Sequence, residues 1–270
     1  MWPSAPDPRW RGRDRWSTCR ASRAAELHRS SPGRVRATVK WRPPSAEPGT
    51  RVLFVRHGLV HNPSGVIYGR MPRMRLSEQG QLDVDRTARF LALLSVEAIY
   101  TSPLLRARQS AALIGAAHPG APIRQLAWLI EVRTSWQGEA RTAQEAIQNF
   151  TYYDPPRHES DETIHDVFER MDRALRHVIK RHPGQTVVCV SHGDPIKILG
   201  IPYSGKDLDV KSVLAPDPPE ASVAAFQFLE TGEPPVVDLW IPRPLIRPRI
   251  VPRGQGVAPT APSEGIPAGA

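Results

Sequence analysis

Val52-Leu53-Phe54-Val55-Arg56-His57-Gly58 and Thr186-Val187-Val188-Cys189-Val190-Ser191-His192-Gly193 decide how this chain of 270 residues is read. Each stretch opens with an apolar, β-branched run and closes on a polar tripeptide, Arg-His-Gly or Ser-His-Gly. Short, continuous apolar runs read as strands buried on both faces, hence as strands of a parallel sheet. Ligands of open α/β sheets bind beyond the carboxyl ends of the strands. The two imidazoles therefore fall where a ligand binds, and each precedes a glycine that permits a tight turn and a close approach.

The pattern alternates outward from these two runs. Ser77 caps a helix over roughly 78–94, with Leu82, Ala88, Phe90, Leu91 and Leu94 as its apolar set. A short strand, Ala98-Ile99-Tyr100, ends at Ser102-Pro103, and a helix over roughly 104–117 follows. Ile123 to Ile130 reads as a strand with a loop at Glu131. Asp161 or Thr163 caps a long helix whose stripe is Ile164, Val167, Phe168, Met171, Leu175, Val178 and Ile179, stopped by Pro183-Gly184. A short helix near residues 195–200 and two late strands, 222–229 and 236–241, close the domain. Alternation of this kind predicts an α/β fold of three layers, α/β/α, around a mostly parallel sheet.

The ends read differently. Residues 1–50 carry 11 Lys/Arg against 4 Asp/Glu, and residues 246–270 carry three against one, so 22 of each remain between them. The net charge of +9 thus belongs to the ends, and the neutral body gives no reason to expect nucleic-acid binding. The leader, with Trp2, Trp10, Trp16 and Trp41 but no helical or strand period, fits a disordered tail, a transit peptide or a start placed too early, with the true one at Val35 or Val39. The missing amphipathic stripe favours disorder or an early start. From about residue 242, Pro242, Pro244, Pro248, Pro252, Pro259, Pro262 and Pro267 forbid helix or ladder and predict an extended end. The expected division is therefore a basic leader over 1–50, a domain over 51–241 and a proline-rich tail over 242–270. Two cysteines, Cys19 and Cys189, suggest neither a disulfide framework nor a zinc site. No apolar run long enough to span a membrane and no secretory segment is present, so the default expectation is cytoplasmic.

The predicted strand ends bring together Arg56, His57, Arg106, Glu131 and His192. Two guanidinia and two imidazoles facing one carboxylate suit an oxyanion, because arginine binds phosphate oxygens bidentately. A histidine ring nitrogen can attack as a nucleophile, and a carboxylic acid can protonate a leaving oxygen. His57 and His61 have the i,i+4 spacing of a metal pair but follow a strand rather than lying on a helix, so no metal is expected.

These residues resemble the histidine phosphatase superfamily, the phosphoglycerate mutase-like group. The matching stretches are Leu53 to Gly58, Leu76-Ser77-Glu78-Gln79-Gly80, Tyr100 to Ala111, Leu129-Ile130-Glu131 and Val190 to Gly193, in the family's order. Asp161-Glu162-Thr163 with Arg170 resembles the family's Gly-Glu-Ser helix start. The resemblance spans roughly residues 51–230. It implies a phosphoglycerate mutase-like fold and metal-independent, cofactor-free phosphoryl transfer in two steps. His57 is the implied nucleophile and Glu131 the acid and base. Arg56, Arg106 and His192 are the implied phosphate holders. Asn62 joins them, one residue nearer the motif than in the mutases. Asp194 is a rival acid, placed behind Glu131 because Gly193 intervenes.

The usual acid after Arg-His-Gly is replaced by Leu59, and only 31 positions separate Glu131 from Glu162, too few for the long capping insert of a glycolytic mutase. The reading is therefore a phosphomonoesterase acting on a small phosphorylated metabolite. A mutase-type phosphotransferase and a non-catalytic phosphoprotein-binding scaffold are the alternatives. Tyr68, Arg70, Trp136, Tyr152, Tyr153 and Arg157 are the specificity candidates, an ordinary packed loop being the other reading of the aromatic stretch 149–157. Arg108 reads equally as pocket rim or helix surface. The sequence gives no oligomeric state.

Overall fold

The computed structural model describes residues 49–229, apart from 148, 154 and 155, together with 236–240. The leader and the tail lie outside the described residues. Among the described residues six strands form one sheet: β1 Gly49–Arg56, β2 Val96–Thr101, β3 Ile123–Gln125, β4 Thr186–Ser191, β5 Val223–Leu229 and β6 Val236–Trp240. Their order across the sheet is β3-β2-β4-β1-β5-β6. β1, β2, β3 and β4 pair in parallel, and β5 and β6 add antiparallel. The helices are α1 Glu78–Leu91, α2 Leu105–Ala116, α3 Arg141–Glu145, α4 Ile164–Arg181, α5 Gly193–Tyr203 and α6 Val210–Val213.

Alternation along β1 builds both cores. Val52 and Phe54 face α4 and α5, where Val167, Met171, Leu175, Ile198 and Leu199 meet Phe226. Leu53 and Val55 face α1 and α2, meeting Val84, Leu91, Ala107, Ala111 and Ile114. Opposite faces of one strand thus serve two apolar layers, giving the expected α/β/α sandwich. Burying each of the larger of these side chains, Val, Leu, Ile, Met or Phe, contributes roughly 1.5–3 kcal/mol. Cys189 sits fully buried in the α4 layer, and burial pushes its thiol up, as for a small hydrophobe rather than a reactive group. Among the described residues no helix is long and apolar enough to cross a membrane.

Glycine links the first motif to α1. A Cβ on Gly58 would run into the Gly80 carbonyl and Val84, and one on Gly80 would run into the Leu59 backbone. The two motif glycines therefore let the loop after His57 lie directly on the first turn of α1, where Ser77 accepts from the Gly80 N–H as N-cap.

Several boundaries differ from expectation, each for a physical reason. Leu82, assigned to the apolar face of α1, is 55% exposed, because the buried stripe runs through Val84, Thr87, Ala88 and Leu91 on the other side. Thr163, not Asp161, caps α4, sharing a reciprocal capping box with Asp166. Asp161 instead accepts from the Ser135 N–H and hydroxyl and from the His158 N–H. The strand expected over Ile123 to Ile130 stops at Gln125, and Ala127–Leu129 forms a 3-10 turn. That turn buries Leu129 fully and leaves the Trp128 and Ile130 carbonyls to accept from Arg170 of α4. α5 is longer than expected and begins at Gly193 directly after His192; Pro195 is tolerated there because first-turn N–H groups have no intrahelical partner.

Candidate active site

Register delivers the two histidines side by side. Arg56 pairs with Ser191 across the parallel β1–β4 ladder, so both chains leave the sheet at one level. The His57 N–H continues the ladder to the Ser191 carbonyl, and the ring centroids of His57 and His192 end 5.0 Å apart. β2 ends one strand over, where the Ser102 N–H bonds the Val190 carbonyl. Ser102 then meets His192 Nε2 through its hydroxyl at 2.8 Å. α2 starts three residues later and points Arg106 inward.

His57 Nδ1 lies 2.8 Å from the Gly58 carbonyl oxygen, which can only accept. Nδ1 therefore carries the proton, and Nε2 turns its lone pair toward the site, where Arg106 Nε donates to it at 3.1 Å. His57 is 1% exposed. Burial, then Arg106 and Arg56, push its pKa well below the usual imidazole range, so the ring is neutral at physiological pH. Burial first, then Arg106 and His57, hold His192 low.

Arg106 is fully buried, bonds the Gly69 carbonyl at 2.7 Å and lies 4.8 Å over the Tyr68 ring. Glu131 places Oε2 3.7 Å from Arg106 Nη2 and 3.6 Å from His192 Nδ1, while Oε1 accepts from the Val132 N–H. Burial raises its carboxyl pKa against the pull of Arg106. Arg56 contacts the Pro218 carbonyl at 2.5 Å, Glu220 at 3.5 Å and Asp217 at 3.8 Å. Against burial, Glu220 and Asp217 keep its pKa raised.

A buried carboxylate braces this centre. Glu162 binds Arg70 at 2.9 Å and Arg170 at 3.0 Å, and accepts from the Arg133 N–H. Arg70 in turn donates to the Glu131 carbonyl. The loop carrying Glu131 is thus fixed by two arginines sharing one carboxylate, and those charges hold the Glu162 pKa low in spite of burial.

Arg56, His57, Arg106, Glu131 and His192 come together as expected from the sequence. Tyr68 and Tyr152 line the cleft in front of them, with Gly69, Val132, Thr134, Arg141, Asp194 and Asp217. Asn62 does otherwise: its amide donates to the Val66 carbonyl and accepts from the Val66 N–H, bracing its own loop, and it is not among the cleft-lining residues described. Arg70 is a brace. Trp136 packs edge-on against Phe150, with Arg157 at 4.5 Å over its ring, and Arg157 pairs with Glu139. Arg108 is exposed on α2.

The sequence reading missed Ser102, Arg141, Lys197, Asp217 and Glu220. Lys197 carried a usable signal, standing i,i+3 from Asp194 on a helix. Lys197 Nζ reaches Asp194 at 2.8 Å and Asp217 at 2.6 Å, and Asp194 also accepts from the Tyr153 hydroxyl at 2.9 Å. Burial, then the neighbouring charge of Asp217, lift the Asp194 pKa to about 7.

Folding thus favours the protonated form of Asp194. Its contribution to stability is complete below about pH 4, the unfolded value, and is lost as pH rises toward 7. Between pH 5 and pH 7 the loss should be on the order of 2 kcal/mol. Urea unfolding of Asp194→Asn beside the unsubstituted chain measures it: the variant should lose less stability over that interval, and equal losses would exclude the shift.

Donor atoms of His57, Glu131 and His192 lie within 4.8 Å of one another, close enough to ligate one metal ion. Arg106 already occupies His57 Nε2, however, and its guanidinium with that of Arg56 disfavours a cation and favours an anion.

Comparison with known proteins gives the family and the fold. The sequence pattern of the histidine phosphatase superfamily (branch 1) matches residues 52–236. An uncharacterized protein of Mycobacterium tuberculosis, Rv0525, is 34% identical over 164 residues, 59% of this chain and 81% of the relative. YhfR of Bacillus stearothermophilus superposes with a TM-score of 0.62 at 25% identity, over 70% of this chain and 96% of that one. The mycobacterial glucosyl-3-phosphoglycerate phosphatase Rv2419c shares the fold at a TM-score of 0.59 and 20% identity, over 72% of this chain and 99% of its own. Phosphoserine phosphatase of Entamoeba histolytica does so at 0.60 and 21%, over 71% and 96%. The chain belongs to branch 1 of the histidine phosphatase superfamily.

Proposed function

We propose that the chain is a metal-independent phosphomonoesterase that hydrolyses a small phosphorylated metabolite through a phosphohistidine on His57, in a cytoplasmic setting. One observation carries the reading. Arg56 Nε, Arg106 Nη1 and His192 Nδ1 are buried without a hydrogen-bond partner among the described residues, all within the group that surrounds the His57 lone pair. Buried donors left unpaired cost on the order of 1–3 kcal/mol each, and arginine N–H groups gathered with His192 around a nucleophile suit the oxygens of a phosphoryl group.

In the first step His57 Nε2 attacks phosphorus as the ester oxygen departs. Glu131, whose carboxyl pKa burial raises, gives that oxygen its proton. Arg106 Nε turns from Nε2 to a phosphoryl oxygen, and the Nδ1–H bond to Gly58 stabilises the cationic ring. In the second step water attacks phosphorus, Glu131 takes its proton, the P–N bond breaks and phosphate leaves. Arg56, Arg106 and His192 hold the oxygens throughout. Asp194 is a weaker candidate for the acid, because its oxygens are engaged by Lys197 and Tyr153.

Glu131→Gln separates the two steps in the presence of EDTA. A good leaving group such as p-nitrophenolate needs no proton, so p-nitrophenyl phosphate should give one burst of nitrophenolate per site and then slow turnover. An alkyl phosphate should show no burst and a loss of about 10²–10⁴-fold. Equal, modest losses on both substrates would remove Glu131 from the role, and turnover that EDTA abolishes would remove metal independence.

A further inference from the structure

A second chamber opens beside the reaction cleft, and the two share Arg141, Tyr152, Asp194 and Asp217. It is the roomier of the pair, about 220 Å³ against about 70 Å³. Its walls add Phe150, Tyr153 and Lys197. The chamber adjoins the cleft lined by Arg56 and Glu131 through those four shared residues.

The charges lining the chamber answer one another. Lys197 holds both Asp194 and Asp217, and Asp217 also faces Arg56 at 3.8 Å. In the lining of the chamber itself Asp194 and Asp217 stand against Lys197 and Arg141, so neither sign of charge dominates there. A second anion on the ligand would meet Asp217, and an ammonium would meet Lys197 and Arg141. Hydrogen-bonding capacity of both kinds is nevertheless presented. The Asp217 side chain is 37% exposed and accepts; the exposed Arg141 guanidinium donates. Phe150 and Tyr152 stand edge to face at 5.0 Å, and Tyr152 and Tyr153 at 6.2 Å, giving flat apolar surface beside those polar groups.

We propose that this chamber receives the leaving group and selects a neutral, polyhydroxylated one, a sugar or polyol, with Asp217 and Arg141 as specificity-determining residues. Hydroxyls both donate to Asp217 and accept from Arg141, while the C–H face of the same group lies on the aromatic wall. The inference rests on the phosphomonoesterase reading.

The test is kcat/KM across five esters on the full chain. They are glucose 6-phosphate and glycerol 3-phosphate, propyl phosphate without hydroxyls, 3-phosphoglycerate with a second anion, and phosphoethanolamine with a cation. The two polyol esters should exceed the other three by at least about tenfold, the worth of one good hydrogen-bonded contact. Arg141→Met should shrink the ratio of glucose 6-phosphate to propyl phosphate by about the same factor. A charged ester equal to or better than the polyols, ratios within threefold, or a ratio untouched by Arg141→Met overturns the proposal. Absence of all turnover, p-nitrophenyl phosphate included, overturns the phosphatase reading instead. Calorimetry then reads the chamber alone: glucose 6-phosphate bound tenfold tighter than inorganic phosphate supports it, and equal affinities overturn it.

Discussion

Replacing His57 with alanine should lower turnover of p-nitrophenyl phosphate by at least about 10³-fold, the range expected when a covalent nucleophile is removed. Every contact of this side chain points the same way. Nδ1 is locked as a donor to Gly58, Nε2 is exposed to the site, and the buried ring is neutral beside two arginines. Without it, the arginines can still bind a phosphate ester, but water must attack directly, and the two-step route is gone. Substrate binding should therefore persist while kcat falls. His57→Gln keeps more of the buried volume and should be equally inactive, which separates lost chemistry from a collapsed cavity. Unsubstituted enzyme quenched during turnover should carry an acid-labile, base-stable phosphoryl group on His57. Retention of more than a tenth of the activity in either variant would sink the mechanism.

Glu162→Ala should destabilise the domain by about 3–5 kcal/mol, the cost of stranding charge when one partner of a buried pair is removed. Glu162 is 7% exposed and serves Arg70, Arg170 and the Arg133 N–H together. Its loss leaves two guanidinia facing each other with no counter-charge. Those arginines hold the Trp128, Ile130 and Glu131 carbonyls, so the loop that aims Glu131 loosens as well. Glu162→Gln retains an acceptor without the charge and should lie between alanine and the unsubstituted chain. Urea denaturation measures the first effect, and a fall in kcat on alkyl phosphates larger than on p-nitrophenyl phosphate measures the second. A change below about 1 kcal/mol would mean that the two arginines are solvated rather than dependent on Glu162.

Much of the site was legible because its residues sit at strand ends, where an apolar run followed by polar residues is a local signal. Val52 to His57 and Val187 to His192 announce both the strands and what they carry. Helices α1 and α4 were legible through caps and periodicity, and α2 as the stretch that follows Ser102-Pro103. The strand read into Ile123 to Ile130 was too long because Leu126, Trp128 and Leu129 do serve a core, but through a 3-10 turn that periodicity does not distinguish from strand. Leu82 misled because exposed leucines are ordinary on protein surfaces. Asp217 and Glu220 had no signal: they reach Arg56 from a loop more than 150 positions away. Asn62 shows the converse, a residue with the right chemistry near the right place whose hydrogen bonds are taken by its own turn.

β1 is a central strand, flanked by β4 and β5, and its end carries His57. The aromatic wall rides on the loop around residues 150–153, where Tyr153 packs against the core and gives its hydroxyl to Asp194. The nucleophile and the aromatic wall thus stand on parts of unequal stiffness. Backbone in the middle of a sheet opens only with global unfolding, whereas a loop opens at far lower cost. On warming, the molecule should lose its ability to tell one ester from another before it loses its ability to cleave them.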